Sequence, residues 1–134
     1  MTKPIATLLI AAVCVAAPPA SAEEPRYSSQ YADCVKRAGG ATFPMVECIT
    51  AEHRRWDAEL NQQYRFIRGK LDGGRRNGFD AAQLAWVSYR DANCSFYNDP
   101  EGGTIARLDA NSCMLEMTAR RVMELRDIRS RIER

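Results

Sequence analysis

Four cysteines carry the clearest chemistry in this chain: Cys34, Cys48, Cys94 and Cys113. They include no C-x-x-C pair, and their intervals of 14, 46 and 19 residues fit no zinc ribbon or finger, so we expect disulfides rather than a metal site. Four cysteines allow three pairings. We favour Cys34–Cys48 with Cys94–Cys113, because each bridge then joins two successive helices. Each bridge is expected to stabilise so small a fold by roughly 2–4 kcal/mol.

Residue types that perform acid–base or nucleophilic catalysis are few. The single histidine, His53, lies between two charged residues and is predicted to face solvent. No serine has an accompanying histidine pattern, which argues against a nucleophilic hydrolase. Asp57 and Asp91 are the carboxylates that a glycoside hydrolase would need, but nothing in the sequence places them on two sides of a cleft. We therefore predict that the protein is not an enzyme and uses no metal and no cofactor.

Several polar residues lie toward, or beside, the apolar stripes of predicted helices. A partly buried arginine needs a carboxylate partner, because breaking such a pair costs roughly 3–5 kcal/mol. For Arg121 the candidate partners are Asp57 and Asp91. We therefore predict a structural network of hydrogen bonds between helices rather than a binding site. Its predicted members are Asp57, Asn61, Gln83, Arg90, Asp91, Thr118 and Arg121.

Helical periodicity runs through the segments that must position these residues. A short helix is predicted from Ser28 to Ala38, ended by Gly39-Gly40. Pro44 suits the first turn of a second helix of about 28 residues, whose apolar residues recur at steps of three and four as far as Leu71.

The second half of the chain predicts two further helices. Asp72-Gly73-Gly74 is predicted to end the second helix, and Asp80 to cap a third. The inward stripe of that third helix is predicted to be Leu84, Val87, Asp91 and Cys94. A loop at 98–103 precedes a last amphipathic helix. The sequence thus predicts an all-α, up-and-down helical bundle stapled by two disulfides.

The first 22 residues have the pattern of a cleaved signal peptide. Lys3 gives the segment a positively charged start, and residues 5–17 form an apolar core that is too short to span a bilayer. Ala20-Ser21-Ala22 has the small residues of a cleavage site. Cys14 follows Val13, where a lipidation signal needs a smaller residue, so lipoprotein anchoring is not expected. We predict a periplasmic or secreted protein with one helical domain, 23–134, and no transmembrane segment.

Charge is distributed unevenly along the 134 residues, although the net charge of +2 is too small to indicate nucleic-acid binding. Residues 118–134 are rich in arginine, which suggests weak contact with anionic envelope polymers or lipid. Residues 91–116 are acidic. Asp99, Glu101 and Asp109 fall in or just after the predicted loop, which makes this loop the candidate surface for binding a partner.

Three motifs surround the cysteines: Trp56-Asp57-x-Glu59-Leu60-Asn61, then Ala82-Gln83-x-Ala85-Trp86-x2-Tyr89-Arg90-Asp91-x2-Cys94, then Cys113-x4-Thr118-x2-Arg121. Together they resemble the LprI-type lysozyme inhibitor family, whose N-terminal helical domain also occurs in exported bacterial proteins of unknown function. The resemblance covers Cys34 to about Leu125.

The resemblance implies an exported helical domain that, in some members, inhibits lysozyme. On this hypothesis lysozyme is the protein partner and the acidic loop blocks its cleft. The alternative hypothesis is a non-enzymatic envelope or stress module that binds cell-wall polymer, anionic lipid or a partner protein through the arginine-rich helix.

Overall fold

The computed structural model describes residues 23–134, so the predicted signal peptide lies outside the described residues. This part of the chain forms four helices and no strand, which confirms the all-α prediction. The helices are α1 (Ser29–Ala38), α2 (Thr42–Lys70), α3 (Gly73–Phe96) and α4 (Gly103–Ile132). No helix within 23–134 is long and apolar enough to cross a membrane.

The directions of the helices follow from the residues that meet across them. Residue 28 contacts residue 52 and residue 34 is bonded to residue 48, so α1 and α2 are antiparallel. Residue 50 meets residue 111 and residue 59 meets residue 126, so α2 and α4 are parallel. Residue 83 meets residue 121 and residue 94 is bonded to residue 113, so α3 runs against α4. The chain therefore runs up and down through the bundle.

The hydrophobic core lies between α2 and α4, which make the most extensive helix–helix contact of the described chain. Ile67, Val122 and Leu125 have no exposed surface. The remaining core residues are Ile49, Trp56, Leu60 and Leu71 on the α2 side, with Leu115 and Ala119 on α4. Their spacing of three, four and seven residues is the helical period that the sequence displays for α2.

Both disulfides form between successive helices. Cys34 is bonded to Cys48 with the Cα atoms 5.7 Å apart, and Cys94 is bonded to Cys113 with the Cα atoms 5.4 Å apart. This is the pairing that the sequence favours. Because α2 and α4 are parallel, the two bridges lie toward the same end of the bundle, which also holds the α1–α2 turn and the α3–α4 loop. We refer to this end, residues 39–48 and 94–113, as the disulfide end.

The start of α3 differs from the prediction. The helix begins at Gly73, and its cap is Asp72, whose carboxylate accepts a hydrogen bond from the Arg75 N–H (3.2 Å). Asp80 is inside α3, where its carboxylate accepts from the Tyr64 hydroxyl (2.6 Å) and from Arg68 Nε (3.0 Å). The pattern Asp-Gly-Gly is typical of the end of a helix, but here the aspartate caps the next helix. The two glycines form the first turn of α3, where the backbone N–H groups have no partner within the helix.

The inward face of α3 also differs from the prediction. Leu84 is 72% exposed and Asp91 is exposed, whereas Gln83, Arg90 and Cys94 are buried. The disulfide fixes the rotation of α3 about its axis, and Leu84 lies about 80° around the helix from Cys94. The fully buried positions of α3 are therefore mainly polar, with Phe79 and Trp86 packed beside them against the core, and apolar periodicity alone does not identify this face.

Candidate functional site

A cluster of polar side chains joins α2, α3 and α4. Arg90 is buried, and its Nε and Nη2 donate to the carboxylate of Asp91 at 2.9 and 2.8 Å. Its Nη1 donates to the hydroxyl of Thr118 (3.4 Å), and the guanidinium lies 5.0 Å from the centre of the Trp86 ring. His53 Nε2 lies 3.2 Å from the same hydroxyl. Three members of the predicted network, Arg90, Asp91 and Thr118, thus meet here through hydrogen bonds.

The prediction that Asp57 or Asp91 pairs with Arg121 was wrong. Its Nε donates to the amide oxygen of Gln83 (3.1 Å), and its Nη1 donates to Glu124 (2.8 Å), one turn along the same helix. Asp91 forms an ion pair with Arg90 instead. Asp57 is hydrogen-bonded to Asn61 of its own helix and not to this arginine. The rotation of α3 explains the difference, because it brings Gln83 rather than Asp91 to Arg121.

Asp57 and Asn61 form a separate pair on α2. Asn61 Nδ2 donates to the Asp57 carbonyl at 2.8 Å and to the Asp57 carboxylate at 3.2 Å. Asn61 is exposed, and neither residue contacts the Arg90 cluster or Arg121 through a hydrogen bond of the described chain. The predicted network is therefore three smaller groups: the Arg90 cluster, the Arg121–Gln83 contact and this pair.

Glu52 is a buried polar residue that the sequence analysis missed. Glu52 is only 3% exposed. Its carboxylate accepts hydrogen bonds from the Ser28 N–H (2.9 Å), the Ser28 hydroxyl (2.6 Å) and Trp56 Nε1 (3.1 Å). It therefore ties the start of α1 to α2. The signal in the sequence is Trp56 itself: a buried indole needs an acceptor, and a residue four positions earlier is within reach.

His53 is half-buried between α2 and α4, and the prediction that it faces solvent was wrong. Burial lowers the pKa of His53 below its ordinary value of 6.5, and the nearby Arg90 lowers it further, against the opposing effect of Asp57 and Asp91. The folded protein consequently binds this proton less tightly than the unfolded chain does.

We therefore expect the free energy of unfolding to fall as the pH is lowered through 6.5 toward the depressed pKa of His53. Urea unfolding between about pH 7.5 and about pH 5 measures this slope. His53→Gln keeps a hydrogen-bonding group beside Thr118 but does not titrate, so the variant should lose this part of the pH dependence. Equal slopes in the two proteins would show that His53 does not contribute.

The α3–α4 loop presents two of the predicted partner-binding acids. Asp99 and Glu101 are exposed, and the Asp99 carboxylate accepts from the Glu101 N–H (2.9 Å), which fixes the turn. Gly102 is the last residue of the loop. A Cβ atom at this position would lie 2.8 Å from the Ala106 Cβ, so a larger residue does not fit there. Asp109 lies outside the loop, on an exposed position of α4.

Exposed hydrophobic side chains accompany these acids at the disulfide end. They are Phe43 at the start of α2, Tyr97 at the end of α3 and Ile105 in the first turn of α4. The sequence analysis did not single them out, since it could not show that the α1–α2 turn and the α3–α4 loop share one end of the bundle.

Two grooves lie beside the Cys94–Cys113 bridge. One, of about 450 Å³, is lined by Tyr89, Asn93, Tyr97, Asp109 and Glu116 among others. The other, of about 580 Å³, is lined by residues that include Arg90, Ser95, Asn98, Arg107 and Asn111. Within residues 23–134, no group of three or more histidine, cysteine, aspartate or glutamate side chains is arranged to hold a metal ion.

The arginines of α4 from Arg120 to Arg131 lie toward the opposite end, and they have acidic partners. The pairs are Arg120–Glu116, Arg121–Glu124, Arg126–Glu59, Arg129–Glu133 and Arg131–Asp127. Three of the guanidiniums also lie over aromatic rings, at 5.7 Å for Arg121 and Trp86, 5.5 Å for Arg126 and Trp56, and 3.9 Å for Arg129 and Phe66. In the described chain these arginines of α4 are therefore paired with acids rather than gathered into an unpaired basic patch.

Comparison with known proteins agrees with the pattern of cysteines and helices. Residues 34–125 match the family model described as lysozyme inhibitor LprI. The chain is similar to an uncharacterized protein of Rhizobium meliloti (strain 1021), with 28% identity over 124 residues, which cover 82% of this chain and 84% of that protein. No solved structure matches the chain. The matched segment begins at the first cysteine of the first bridge and includes both disulfides and the Arg90 cluster, so the chain belongs to the LprI lysozyme inhibitor family.

Proposed function

We propose that this protein is an extracytoplasmic, non-enzymatic inhibitor that binds lysozyme through its disulfide end and blocks the lysozyme cleft. The observation that carries the proposal is the family match over residues 34–125, which span both bridges. The two disulfides fit an oxidising compartment, and the predicted signal peptide at residues 1–22 fits export to the periplasm or beyond.

The disulfide end has the features of a protein-binding surface. Phe43, Tyr97 and Ile105 offer exposed apolar area, while Asp99 and Glu101 supply negative charge beside it. Protein interfaces combine an apolar, often aromatic centre with a polar rim, and the rim charges guide the encounter. Animal-type lysozymes are basic, so an acidic rim complements them.

The rigidity of this end also favours inhibition. The Cys94–Cys113 bridge and the Asp99 turn hold the loop in one conformation before binding. A loop that is already ordered loses less conformational entropy when it enters a cleft, and more of the contact energy then remains as affinity. The second hypothesis, an envelope module that binds through arginines, lacks such support because α4 pairs most of its arginines with acids.

Asp99→Asn/Glu101→Gln is expected to weaken inhibition about 3- to 10-fold at about 0.01 M salt, chiefly through a slower association rate. The loss should nearly vanish at about 1 M salt, where the Debye length falls to about 3 Å. The measurement is titration of the oxidised protein into a lysozyme turnover assay at both salt concentrations.

The matched control is Asp127→Asn/Glu133→Gln, which removes the same charge from exposed positions at the far end of α4. It should inhibit as wild type does. Equal inhibition by the Asp99/Glu101 variant and wild type at low salt would remove the loop from the mechanism. Failure of the wild-type protein to inhibit any lysozyme would overturn the proposed function itself.

A further inference from the structure

Helix α3 carries large apolar side chains on both faces: Phe79 and Trp86 pack against the core, whereas others are exposed to solvent. Its buried residues are Gln83, Arg90 and Cys94, and none of them is a large apolar side chain. By contrast, Leu84, Tyr89 and Phe96 are exposed by 72%, 61% and 82%. A helix at the surface of a monomer normally turns its apolar stripe inward. The outward face of α3 is therefore suited to contact with another protein chain.

A continuous uncharged stripe runs along this outward face. It consists of Ala81, Ala85, Tyr89, Ala92 and Phe96, all of them exposed and spaced by four, four, three and four residues. These positions fall within about 80° of the helix circumference and extend over roughly 24 Å. We call this set the α3 stripe. The charged residues of α3 between 81 and 96 are Arg90, which is buried, and Asp91, which is bonded to it.

The α3 stripe is complementary to itself when a second copy runs in the opposite direction. With a twofold axis beside Tyr89, Phe96 of one copy falls opposite Ala81 of the other, and Ala85 opposite Ala92. Phe96 then meets a small residue, the two Tyr89 rings lie side by side at the axis, and the Ala85–Ala92 contacts let the helices approach closely. Such an isologous contact is the commonest kind in homodimers.

Charge supports the same arrangement. The acidic loop with Asp99 and Glu101 follows the end of α3. The basic segment 65–76, which includes Arg75, covers the end of α2 and the first turn of α3. An antiparallel pair of α3 helices places the acidic loop of each copy beside the basic segment of the other. A parallel pair would bring like charges together.

From these observations we infer that the protein forms an antiparallel homodimer through the α3 stripe. A stripe of this length covers less surface than the roughly 800 Å² per partner of a standard interface. The dimer is consequently weak, with a dissociation constant in the micromolar to millimolar range. This inference does not depend on lysozyme inhibition.

Sedimentation equilibrium of the purified, oxidised full chain over concentrations up to about 1 mM tests the dimer. We expect reversible dimerisation in the wild type. Ala85→Glu places a carboxylate at the centre of the contact and should raise the dissociation constant at least about 10-fold. Ala58→Glu is the matched control, because it makes the same change at an exposed position of α2 and should leave dimerisation unchanged. A wild type that stays monomeric throughout, or an Ala85→Glu variant that dimerises as wild type does, would overturn the inference.

The antiparallel register has a test of its own. Ala92→Lys should weaken the homodimer as Ala85→Glu does, but an equimolar mixture of the two variants should associate more tightly than either alone. In the mixed dimer the introduced carboxylate faces the introduced ammonium group, and the opposite Ala92–Ala85 contact is intact. A mixture that associates no better than its components would contradict this register.

Discussion

Replacing Cys94 and Cys113 together by serine should lower the free energy of unfolding by about 2–5 kcal/mol. The bridge closes a sequence separation of 19 residues, so its loss frees the unfolded chain. It also removes the covalent anchor of α3, whose other fully buried residues, Gln83 and Arg90, are polar. Urea unfolding followed by circular dichroism measures the change.

Cys34→Ser/Cys48→Ser is the comparison for this variant, since it opens a bridge of similar span, 14 residues, in the other helical hairpin. We expect both variants to be destabilised, but only the Cys94/Cys113 variant to release the α3–α4 loop and so to lose inhibition at temperatures where it remains folded. Unchanged stability of the Cys94/Cys113 variant would mean that α3 is held by its polar contacts alone.

Glu52→Leu should cost roughly 3 kcal/mol of unfolding free energy. The substitution leaves the N–H of Ser28 and the indole N–H of Trp56 without their acceptor in a buried place, and a buried unsatisfied donor carries its full desolvation penalty. Because Trp56 lies in the core, thermal unfolding followed by its fluorescence reports directly on this site.

Two further variants separate the lost hydrogen bonds from other effects of the Glu52 substitution. Glu52→Gln keeps one acceptor oxygen and should cost less than Glu52→Leu. Glu47→Leu makes the same change at an exposed position of the same helix and should be close to neutral. If Glu52→Leu were as stable as Glu47→Leu, the contacts of this carboxylate would contribute nothing to the fold.

The first half of the fold could be predicted from the sequence because its signals are local. Gly39 ends α1 in the left-handed conformation (φ 58°), a position for which glycine is suited, and the apolar residues of α2 follow a helical period as far as Leu71. The disulfide pairing followed from the order of the helices. Each of these features depends on residues close together in the chain.

The details of α3 and of the polar contacts could not be predicted for a physical reason. The rotation of α3 is set by the bridge to α4 and by the guanidiniums that contact Trp86, not by an apolar stripe of its own. With that rotation unknown, the partner of Arg121 could not be identified. Likewise, the exposure of Phe43 beside the acidic loop depends on the parallel arrangement of α2 and α4.

The parallel pairing of α2 with α4 makes the core a contact between two distant parts of the chain. Contacts such as Thr50–Asn111 and Arg126–Glu59 span 61 and 67 residues, with the whole of α3 between them. While the polypeptide emerges from the ribosome, α2 lacks its main apolar partner until most of α4 has also been made. The core of this protein can therefore form only after the 30 residues of α4 have been made, which gives its folding a high contact order.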